Sequence, residues 1–585
     1  DQRLRGFAIY GNRIRILRKR LFATLLAVTF LFLSVTVRVF IVQIADGRDL
    51  QSGAIDQWTR ELPIAAKRGE IVDRNGVVLA GSDTSFTIFV RPRTVKSPEL
   101  VAETLAEKLG LDAVSLKEKI SDSSSSVVTV KRRVGKDKVD EIMSGALSGV
   151  YYGEDFTRVY PYGNLLCRVI GYTSTDGRGQ SGLEAYYDEI LRGFDGEILY
   201  ESDLVGKDVE GKTARYVRAT DGLNLRLTID ADISRIADEI VAEATEIYSP
   251  KSVGILVLDP SSGAILAMSE SPSFDLNNVP RKDPELLRIS GRSSLISDSY
   301  EPGSTFKVLT AAANTEEYKK GNPAAFSPDH IFSSARYRIV DGRKIRCWSS
   351  HENGRHANEN LARALNNSCN PCFVDIALSL GKSKMYEYIR AFGYGKTTGV
   401  DFSGEALGMV VPESAVTAGD LARISFGQTI AVTPLQLAAA TACAVNGGIY
   451  YEPRFAEEIF DNEGRIAQTT DKKAKGRAIG EETSAVIAGY LEGVVRDGSG
   501  KQAYIEGYRV GGKTATAQKY ENGKIAQGKY VMSFVGFFPA NDPKYLALAV
   551  VDEPVGGQYG SAVAAPLVKK VFEGIIGCKN IAPFE

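Results

Sequence analysis

The sequence is poor in histidine and cysteine and has almost no net charge. Its 585 residues include three histidines, His330, His351 and His356, and all three lie in one polar stretch. Their spacing does not match that of a zinc site, so we expect no metal centre. Six cysteines are too few for a fold built on disulfides. The formal net charge of −1 provides no broad basic surface, which argues against a nucleic-acid partner.

The N-terminus combines a basic cluster with one long apolar run. Seven Lys or Arg residues within residues 1–20 precede an apolar stretch that begins at Leu21 and continues past Arg38. About twenty apolar residues suffice to cross a bilayer. The stretch is longer than the apolar part of a cleaved signal peptide, and no small-x-small cleavage motif follows it, so an uncleaved anchor is favoured. We assign residues 1–20 to a cytoplasmic tail and 21–44 to a transmembrane anchor, with the rest of the chain outside the cell membrane.

The remaining chain divides into two predicted domains. Residues 45–249 mix short strands and helices without a cluster of titratable side chains, and we interpret them as an elongated, non-catalytic α/β pedestal. Residues 250–578 begin with paired strands, continue with a block of helices and return to strands. That order predicts an α+β domain in which a central antiparallel sheet is flanked by helices. Its later helices are expected at 360–380, 421–446 and 482–495, and its last strands at 530–538 and 545–551.

A serine and a lysine stand one helical turn apart after a Pro-Gly turn. Pro302 and Gly303 precede Ser304, and the apolar run behind Lys307 is typical of a buried helix. Residues three apart share a helix face, so the amine can reach the hydroxyl. A serine becomes nucleophilic when a base takes its proton, and a buried lysine with a lowered pKa can be that base. A polar helix start beside a solvated lysine gives the same pattern, so this pair alone decides little.

Ser368 and Asn370 lie two residues apart where a predicted helix meets a loop. Their short polar side chains can project into a cleft there, although ordinary helix caps look the same. A hydroxyl at this point could relay a proton between Lys307 and a leaving amine. The Asn370 amide could bind a substrate carbonyl and orient the lysine.

Lys513 lies on a predicted strand at residues 510–518 with many small side chains. Its charge would lower the pKa of a nearby amine and attract an anionic substrate. Thr514 and Thr516 are two apart on this strand, and their hydroxyls could bind a carboxylate. An edge strand that carries a protective lysine is the alternative.

The cysteines raise a separate question about oxidation. Cys369 and Cys372 have the spacing of a Cys-x-x-Cys redox motif, but no thioredoxin-like strand and helix surround them. Cys347 and Cys369 both lie close in sequence to the Ser-x-Asn pair, and thiols outside the membrane can form disulfides. We treat Cys347 and Cys369 as a candidate redox pair, which thiol counting with and without reductant can test.

The three motifs occur in the order Ser-x-x-Lys, Ser-x-Asn and Lys-Thr-x, which resembles the penicillin-recognising serine enzymes. The chain is similar to class B penicillin-binding proteins of the septal or sporulation type. The resemblance runs from the anchor nearly to the C-terminus. It is carried also by RGEIVDRNG at 68–76, GLE at 182–184, YEPGSTFK at 300–307, FGQ at 426–428 and TPLQ at 433–436.

The resemblance implies a peptidoglycan D,D-transpeptidase that cross-links stem peptides through a serine acyl-enzyme. It assigns catalytic roles to five side chains, Ser304, Lys307, Ser368, Asn370 and Lys513. It assigns substrate binding to three neighbouring residues, Thr514, Ala515 and Thr516. The backbone N–H groups of Ser304 and Thr516 would form the oxyanion hole. No metal or organic cofactor is required, and residues 45–249 would be a pedestal of the dimerisation type.

The same resemblance implies partners and a location. The donor would be a stem peptide ending in D-Ala-D-Ala, and β-lactams would acylate the serine as its mimics. Such proteins make no glycan strands, so we expect a polytopic SEDS-type glycosyltransferase and divisome or sporulation proteins as partners at the cell membrane. Wall-binding repeats after the transpeptidase domain are not expected. The cysteine pair favours the sporulation type.

Two positions depart from the family pattern, and two alternative functions stay open. Ala515 stands where the family has the glycine of Lys-Thr-Gly, and its methyl group would point toward or beside the substrate cleft. Thr429 stands where many relatives have glycine. A hydrolase, either a β-lactamase or a carboxypeptidase, would need a base for deacylation, and no candidate is evident. A non-catalytic or β-lactam-sensing scaffold is suggested by Ala515, but no second signalling domain is evident.

Overall fold

The computed structural model describes residues 2–45, 59–122, 125, 127–202, 208–348, 356–521, 524–557 and 559–583. The chain forms two compact units. The smaller unit comprises residues 1–65, 84–155 and 195–220, and the larger comprises residues 66–83, 156–194 and 221–585. The domain boundaries that we placed after residues 20, 44 and 249 stay predictions.

The helices are numbered in chain order. They are α1 Gln2–Phe40, α2 Pro98–Leu109, α3 Ala113–Ser121, α4 Lys136–Ser144, α5 Cys167–Ile170, α6 Gly182–Tyr186, α7 Asp188–Leu191, α8 Ala231–Tyr248, α9 Pro284–Ser290, α10 Ser294–Ser297, α11 Lys307–Lys319, α12 Leu361–Asn366, α13 Asn370–Ala391, α14 Ala418–Ile424, α15 Pro434–Val445, α16 Glu481–Asp497 and α17 Gly560–Lys579. Short 3-10 helices occur at Pro92–Thr94, Leu276–Asn278, Gly303–Phe306, Glu413–Ala415 and Lys501–Ala503, and a π-helix at Ile41–Ala45.

The strands are numbered in the same way. They are β1 Thr59–Ile64, β2 Ile71–Val72, β3 Val78–Val90, β4 Val128–Val134, β5 Val150–Val159, β6 Gly196–Ser202, β7 Asp208–Val217, β8 Asn224–Leu227, β9 Ser252–Leu258, β10 Ile265–Ser271, β11 Tyr337–Val340, β12 Arg343–Arg346, β13 Met409–Val410, β14 Ile430–Ala431, β15 Ile449–Tyr451, β16 Ala456–Phe460, β17 Ile466–Thr469, β18 Ala474–Arg477, β19 Gly511–Glu521, β20 Lys524–Phe538 and β21 Tyr545–Asp552.

The N-terminal helix has the length and composition of a membrane span. Among the described residues one helical segment, Arg18–Ile44, is long and apolar enough to cross a membrane. Its 27 residues extend about 40 Å as a helix, more than the roughly 30 Å of a hydrocarbon core. Its apolar side chains are exposed, as those of Phe22 and Leu25 show. These features support the predicted single-pass anchor.

The smaller unit has a mixed α/β construction. Strands β1, β6 and β7 form a three-stranded antiparallel sheet, and the later part of β3 pairs with β4 in antiparallel order. Helices α2, α3 and α4 supply most of a small apolar core, to which Leu105, Ile120 and Ile142 belong. The Asp112 side chain caps α3 by accepting a hydrogen bond from the Ser115 N–H.

The larger unit contains a five-stranded antiparallel sheet in the order β10-β9-β21-β20-β19. Helices α8 and α17 pack on one face, where Phe534, Phe572 and Ile240 are buried together. A second core contains the apolar residues of α11, α13 and α15. The predicted fold class, with a central antiparallel sheet between helices, is therefore confirmed, and β19 is an edge strand.

Two predicted helices are each interrupted in the structure. The helix expected at 360–380 is split into α12 and α13 because Ser368 adopts a left-handed conformation with φ +56°. The helix expected at 421–446 is split into α14 and α15. Gly427 has φ +81° between them, and Pro434 begins α15. The other predicted helix and the two last strands lie within α16, β20 and β21.

Candidate active site

Ser304 lies in the 3-10 turn Gly303–Phe306, which leads directly into α11. Gly303 has φ +55°, a left-handed conformation that suits glycine, and its N–H donates to the Gly427 carbonyl over 3.0 Å. A Cβ on Gly427 would lie 2.1 Å from the Gly303 carbonyl oxygen, so only glycine fits there. Gly427 of the FGQ motif thus packs directly against the turn that carries Ser304. Ser304 is half-buried and lines a cavity of about 610 Å³.

Lys307 points its amine at Ser304 from one turn further along. The side chain is fully buried, and its Nζ lies 3.1 Å from Ser304 Oγ. It also lies 2.7 Å from the Ser368 carbonyl oxygen, 3.0 Å from Ser368 Oγ and 2.7 Å from Asn370 Oδ1. A neutral amine has two N–H donors, and the two oxygens at 2.7 Å can only accept. Both donors are thereby occupied, and the lone pair is left for a hydroxyl.

Burial lowers the pKa of Lys307 to about 8. An ammonium group removed from water loses hydration, which favours the neutral form. Thiolates at the neighbouring cysteines would act in the opposite direction, but burial is the larger effect. A substantial fraction of Lys307 is therefore neutral near pH 8 and able to accept a proton.

Ser368 and Asn370 occupy the junction between α12 and α13. The left-handed backbone at Ser368 places its Oγ 3.0 Å from the Lys307 amine and 3.1 Å from the Lys513 amine. The Asn370 amide nitrogen donates to the Arg346 carbonyl over 3.1 Å, so its oxygen faces Lys307. One hydroxyl therefore bridges two amines, as expected for a proton relay.

Lys513 reaches the same point from the edge strand β19. Its side chain is fully buried, and its pKa lies well below the usual value, chiefly because of burial and further because of the charge of Lys307. The structure thus brings together the five side chains that the sequence proposes as catalytic. These come from three separate segments, Ser304 and Lys307, Ser368 and Asn370, and Lys513.

The predicted substrate-binding residues also line the cavity. Thr516 Oγ1 accepts a hydrogen bond of 2.9 Å from the Gly560 N–H, which leaves its O–H free to donate to a ligand. Thr514 Oγ1 lies 3.4 Å from Ser499 Oγ. Ala515 is 3% exposed, and its methyl group faces Gly303. A Cβ added to Gly303 would lie 3.5 Å from this methyl carbon. The methyl group therefore lies beside the cleft, against the serine turn.

The candidate redox pair is in contact without a covalent bond. Cys347 Sγ and Cys369 Sγ are 3.9 Å apart, whereas a disulfide bond measures about 2.05 Å. His356 joins them, with Nδ1 3.7 Å from Cys347 Sγ. Sequence spacing did not point to this third residue, because His356 meets the cysteines only in the folded chain.

Sequence reasoning also missed the aromatic walls of the cavity. The Trp348 and Tyr559 rings meet edge to face with centroids 6.1 Å apart, and both line the cavity. The Trp348 indole N–H donates to the Asn367 carbonyl over 2.9 Å. Gln428 and Ser499 are among the polar residues that line the cavity. The rarity of tryptophan, with two in the chain, was the available signal for Trp348.

Two family models cover most of the chain. The model described as Penicillin binding protein transpeptidase domain matches residues 253–573, which include every residue of the site. The chain belongs to the penicillin-binding protein transpeptidase family. A second model, described as Penicillin-binding Protein dimerisation domain, matches residues 63–227. The residues of the three sequence motifs thus meet at one cavity.

Individual relatives agree with this assignment. The chain is 38% identical over 573 residues to "Stage V sporulation protein D" of Bacillus subtilis, covering 97% of this chain and 86% of that protein. It is 28% identical to "Peptidoglycan D,D-transpeptidase FtsI" of Escherichia coli, covering 89% and 85%. The crystal structure of Penicillin Binding Protein 2X from Streptococcus thermophilus matches with a TM-score of 0.74 at 24% identity, over 88% of this chain and 80% of that one. This last likeness concerns the fold alone.

Proposed function

We propose that this penicillin-binding protein is a peptidoglycan D,D-transpeptidase that works through an acyl-enzyme on Ser304. The supporting observation is the Lys307 amine, which is buried, has a lowered pKa and lies 3.1 Å from the Ser304 hydroxyl. Relatives named as D,D-transpeptidases support the same activity. The substrate would be a stem peptide that ends in D-Ala-D-Ala.

Acylation would begin with the transfer of the Ser304 proton to Lys307. The serine oxygen forms a bond to the penultimate carbonyl carbon, and the backbone N–H groups of Ser304 and Thr516 stabilise the oxyanion. The C–N bond to the terminal D-alanine then breaks. Ser368, which bridges the two amines, would return the proton to the departing amine nitrogen.

Deacylation would use the amine of a neighbouring stem peptide. This amine attacks the ester carbonyl and gives one proton to Lys307. The new amide bond forms as the C–O bond to Ser304 breaks, and Lys307 passes the proton to the serine oxygen. Asn370 would hold the donor amide, and Lys513, Thr514 and Thr516 would bind the terminal carboxylate. A carboxylate suits this place because the Thr516 hydroxyl is left to donate, and a bound carboxylate would favour the charged form of the Lys513 amine nearby.

The cellular setting belongs to the same proposal. Basic residues before the Arg18–Ile44 segment favour a cytoplasmic N-terminus and an extracytoplasmic active site. Residues 45–249 would be the non-catalytic pedestal. A SEDS-type glycosyltransferase would supply the glycan strands, and divisome or sporulation proteins would complete the assembly. Protease added to intact cells without a wall should digest the transpeptidase domain, and its protection would contradict this orientation.

Mass spectrometry after exposure to benzylpenicillin tests the chemistry. The full chain in detergent should gain one penicilloyl adduct that maps to Ser304 and persists for many minutes. The Ser304→Ala variant is the matched control and should gain none. Rapid release of hydrolysed penicillin would favour a hydrolase. Retention of wall cross-linking in cells whose only copy carries Ser304→Ala would favour a scaffold and refute the proposal.

A further inference from the structure

Cys347, His356 and Cys369 form a side-chain cluster that the proposed reaction does not use. Cys347 directly follows β12, and Cys369 directly precedes α13. His356 is 2% exposed and Cys369 is 1% exposed, so the cluster is largely shielded from solvent. One nitrogen and two sulfur atoms of these residues all lie within 4.8 Å of one another.

Two of the three distances between these atoms match those between the ligands of a tetrahedral metal ion, and the third is no longer than 4.8 Å. With Zn–S bonds of about 2.3 Å, two sulfurs at the tetrahedral angle are about 3.8 Å apart, and a sulfur and an imidazole nitrogen about 3.6 Å. The observed separations are 3.9 Å for Cys347 Sγ to Cys369 Sγ and 3.7 Å for Cys347 Sγ to His356 Nδ1. Contact between two thiols does not by itself place an imidazole nitrogen 3.7 Å from one of them.

The backbones that carry the two cysteines are held in place by their own hydrogen bonds. The Cys347 N–H donates to the Arg336 carbonyl over 2.8 Å, and the Cys369 N–H donates to the Ala364 carbonyl over 2.9 Å. The ligand atoms therefore converge without a large rearrangement. Cys372 lies three residues after Cys369 on α13, and the two thiols interact, so a fourth sulfur is within reach of the cluster.

We propose that Cys347, His356 and Cys369 bind one divalent metal ion of the zinc class. Two thiolates and one imidazole form a donor set that zinc prefers over magnesium or calcium. Each cysteine releases one proton when its sulfur coordinates the ion. Cys372 or a water molecule fills the fourth position. The expectation from sequence spacing, that no metal centre is present, would then be wrong.

A metal ion at this point would brace the wall of the catalytic cavity. Cys369 stands between Ser368 and Asn370, and Cys347 is followed by Trp348, which lines the cavity. Coordination would join the segment after β12 to the start of α13. The ion would thus fix the positions of Ser368 and Trp348 relative to each other without contacting the scissile bond. Its role would be structural.

Cobalt binding tests the proposal without reference to catalysis. The full chain in detergent, reduced and freed of metal with a chelator, is titrated with Co²⁺ and then with Zn²⁺. We expect one Co²⁺ per chain, with the visible absorption of a tetrahedral cobalt site and near-ultraviolet thiolate charge transfer, and displacement by one Zn²⁺. Cys347→Ser, His356→Ala and Cys369→Ser should each weaken binding by more than about 10-fold.

Cys443→Ser and Cys167→Ser are the matched controls, because both cysteines are buried in the same unit and neither belongs to the group of converging ligand atoms. Binding that these controls reduce as much as the ligand variants would overturn the proposal, and so would the absence of binding. Isolation of the untreated chain without metal and lighter by two hydrogens, with Cys347 joined to Cys369, would also overturn it. In that case an oxidant has taken two electrons and the pair is a disulfide.

Trp348 provides a second measurement that does not depend on the folding of cysteine variants. Its ring lies edge-on to His356 with centroids 6.3 Å apart, and the only other tryptophan is Trp58. In a Trp58→Phe chain, bound Co²⁺ should quench most of the remaining tryptophan fluorescence, with a midpoint that matches the absorption titration. Fluorescence that stays unchanged while cobalt binds would place the ion elsewhere and refute the assignment.

Discussion

The basicity of Lys307 toward Ser304 depends on how many hydrogen bonds the lysine amine already donates. Two oxygen acceptors at 2.7 Å, the Ser368 carbonyl and Asn370 Oδ1, occupy both donors of a neutral Lys307. The lone pair then faces the hydroxyls. The sequence predicted the pairing of Ser304 with Lys307 because residues three apart share a helix face. It could not predict the carbonyl acceptor, since that depends on the backbone conformation of a distant junction.

The rate of acylation should follow the titration of Lys307. Because burial lowers its pKa to about 8, the neutral base is scarce at pH 6 and abundant at pH 9. The rate of Ser304 acylation by benzylpenicillin should rise about tenfold per pH unit below 7.5 and level off above about pH 9. Stopped-flow measurement across this range tests the expectation.

Lys307→Arg is the matched control for this titration, because arginine keeps its charge at every accessible pH. It should acylate at least about 100-fold more slowly and show no rise between pH 6 and 9. A wild-type profile that is flat across this range would show that Lys307 is not the titrating base.

Thr429, which departs from the family pattern in the sequence, has an unfavourable backbone conformation in the structure. Its φ of +64° is a left-handed conformation that is strained for a β-branched side chain. Its N–H donates to Glu301 Oε1 over 2.9 Å, so the strained conformation helps to hold the loop beside the serine turn. Glycine adopts this conformation readily.

Thr429→Gly should therefore stabilise the protein by about 0.5–1 kcal/mol, since relief of backbone strain exceeds the added entropy of the unfolded chain. A shift of the urea midpoint measures the gain. Thr433→Gly is the control, because Thr433 has φ −75° and caps α15. That change should destabilise by at least about 0.3 kcal/mol, because glycine removes the capping hydroxyl. Equal losses at both positions would show that the strain at Thr429 is negligible.

At the level of elements, the junction of α12 and α13 determines the geometry of the site. The apolar pattern from 360 to 380 predicts one continuous helix, whereas the Ser-x-Asn pair predicts a helix-to-loop junction, and neither pattern specifies a left-handed backbone at Ser368. The left-handed residue there turns the chain so that one side chain meets Lys307 and Lys513. Local propensity favours the helix, but tertiary contacts decide the conformation. The strand that carries Lys513 was predictable because its alternation and small residues are local features.

Two substitutions at Ser368 separate its hydroxyl from its backbone. Ser368→Gly and Ser368→Ala both remove the Oγ that bridges the two amines, so both should slow turnover of a D-Ala-D-Ala peptide by about 100-fold or more. Only alanine keeps the left-handed strain, so the glycine variant should be about 1 kcal/mol more stable than the alanine variant.

Turnover assays and thermal unfolding of the same two preparations test both parts. The control is Ser379→Ala, whose hydroxyl donates to the Ala324 carbonyl on the exposed side of α13. It should leave turnover unchanged. Normal turnover in Ser368→Gly would exclude this hydroxyl from the proton relay.

For the molecule as a whole, the larger unit gathers distant segments around one buried carboxylate. Glu184 is fully buried, and its two oxygens lie 2.6 Å from Arg68 Nε and 2.6 Å from Arg158 Nε. Arg68 also contacts Asp188 at 2.6 Å. In the sequence, the segments at 68–76 and 182–184 were informative only because they resemble those of class B penicillin-binding proteins. Their meeting across more than a hundred residues follows from the fold, which no local pattern specifies.

Glu184→Gln should strongly destabilise this unit without altering its chemistry. The substitution leaves two buried arginines short of one negative charge, and breaking such a network typically costs about 3–5 kcal/mol. The urea midpoint should fall accordingly, while acylation of Ser304 per folded molecule stays normal, because none of these residues lines the cavity. Glu285→Gln, which breaks an exposed pair with Arg288, is the matched control and should cause no measurable change. A midpoint for Glu184→Gln as high as that of the control would show that the buried cluster contributes nothing to stability.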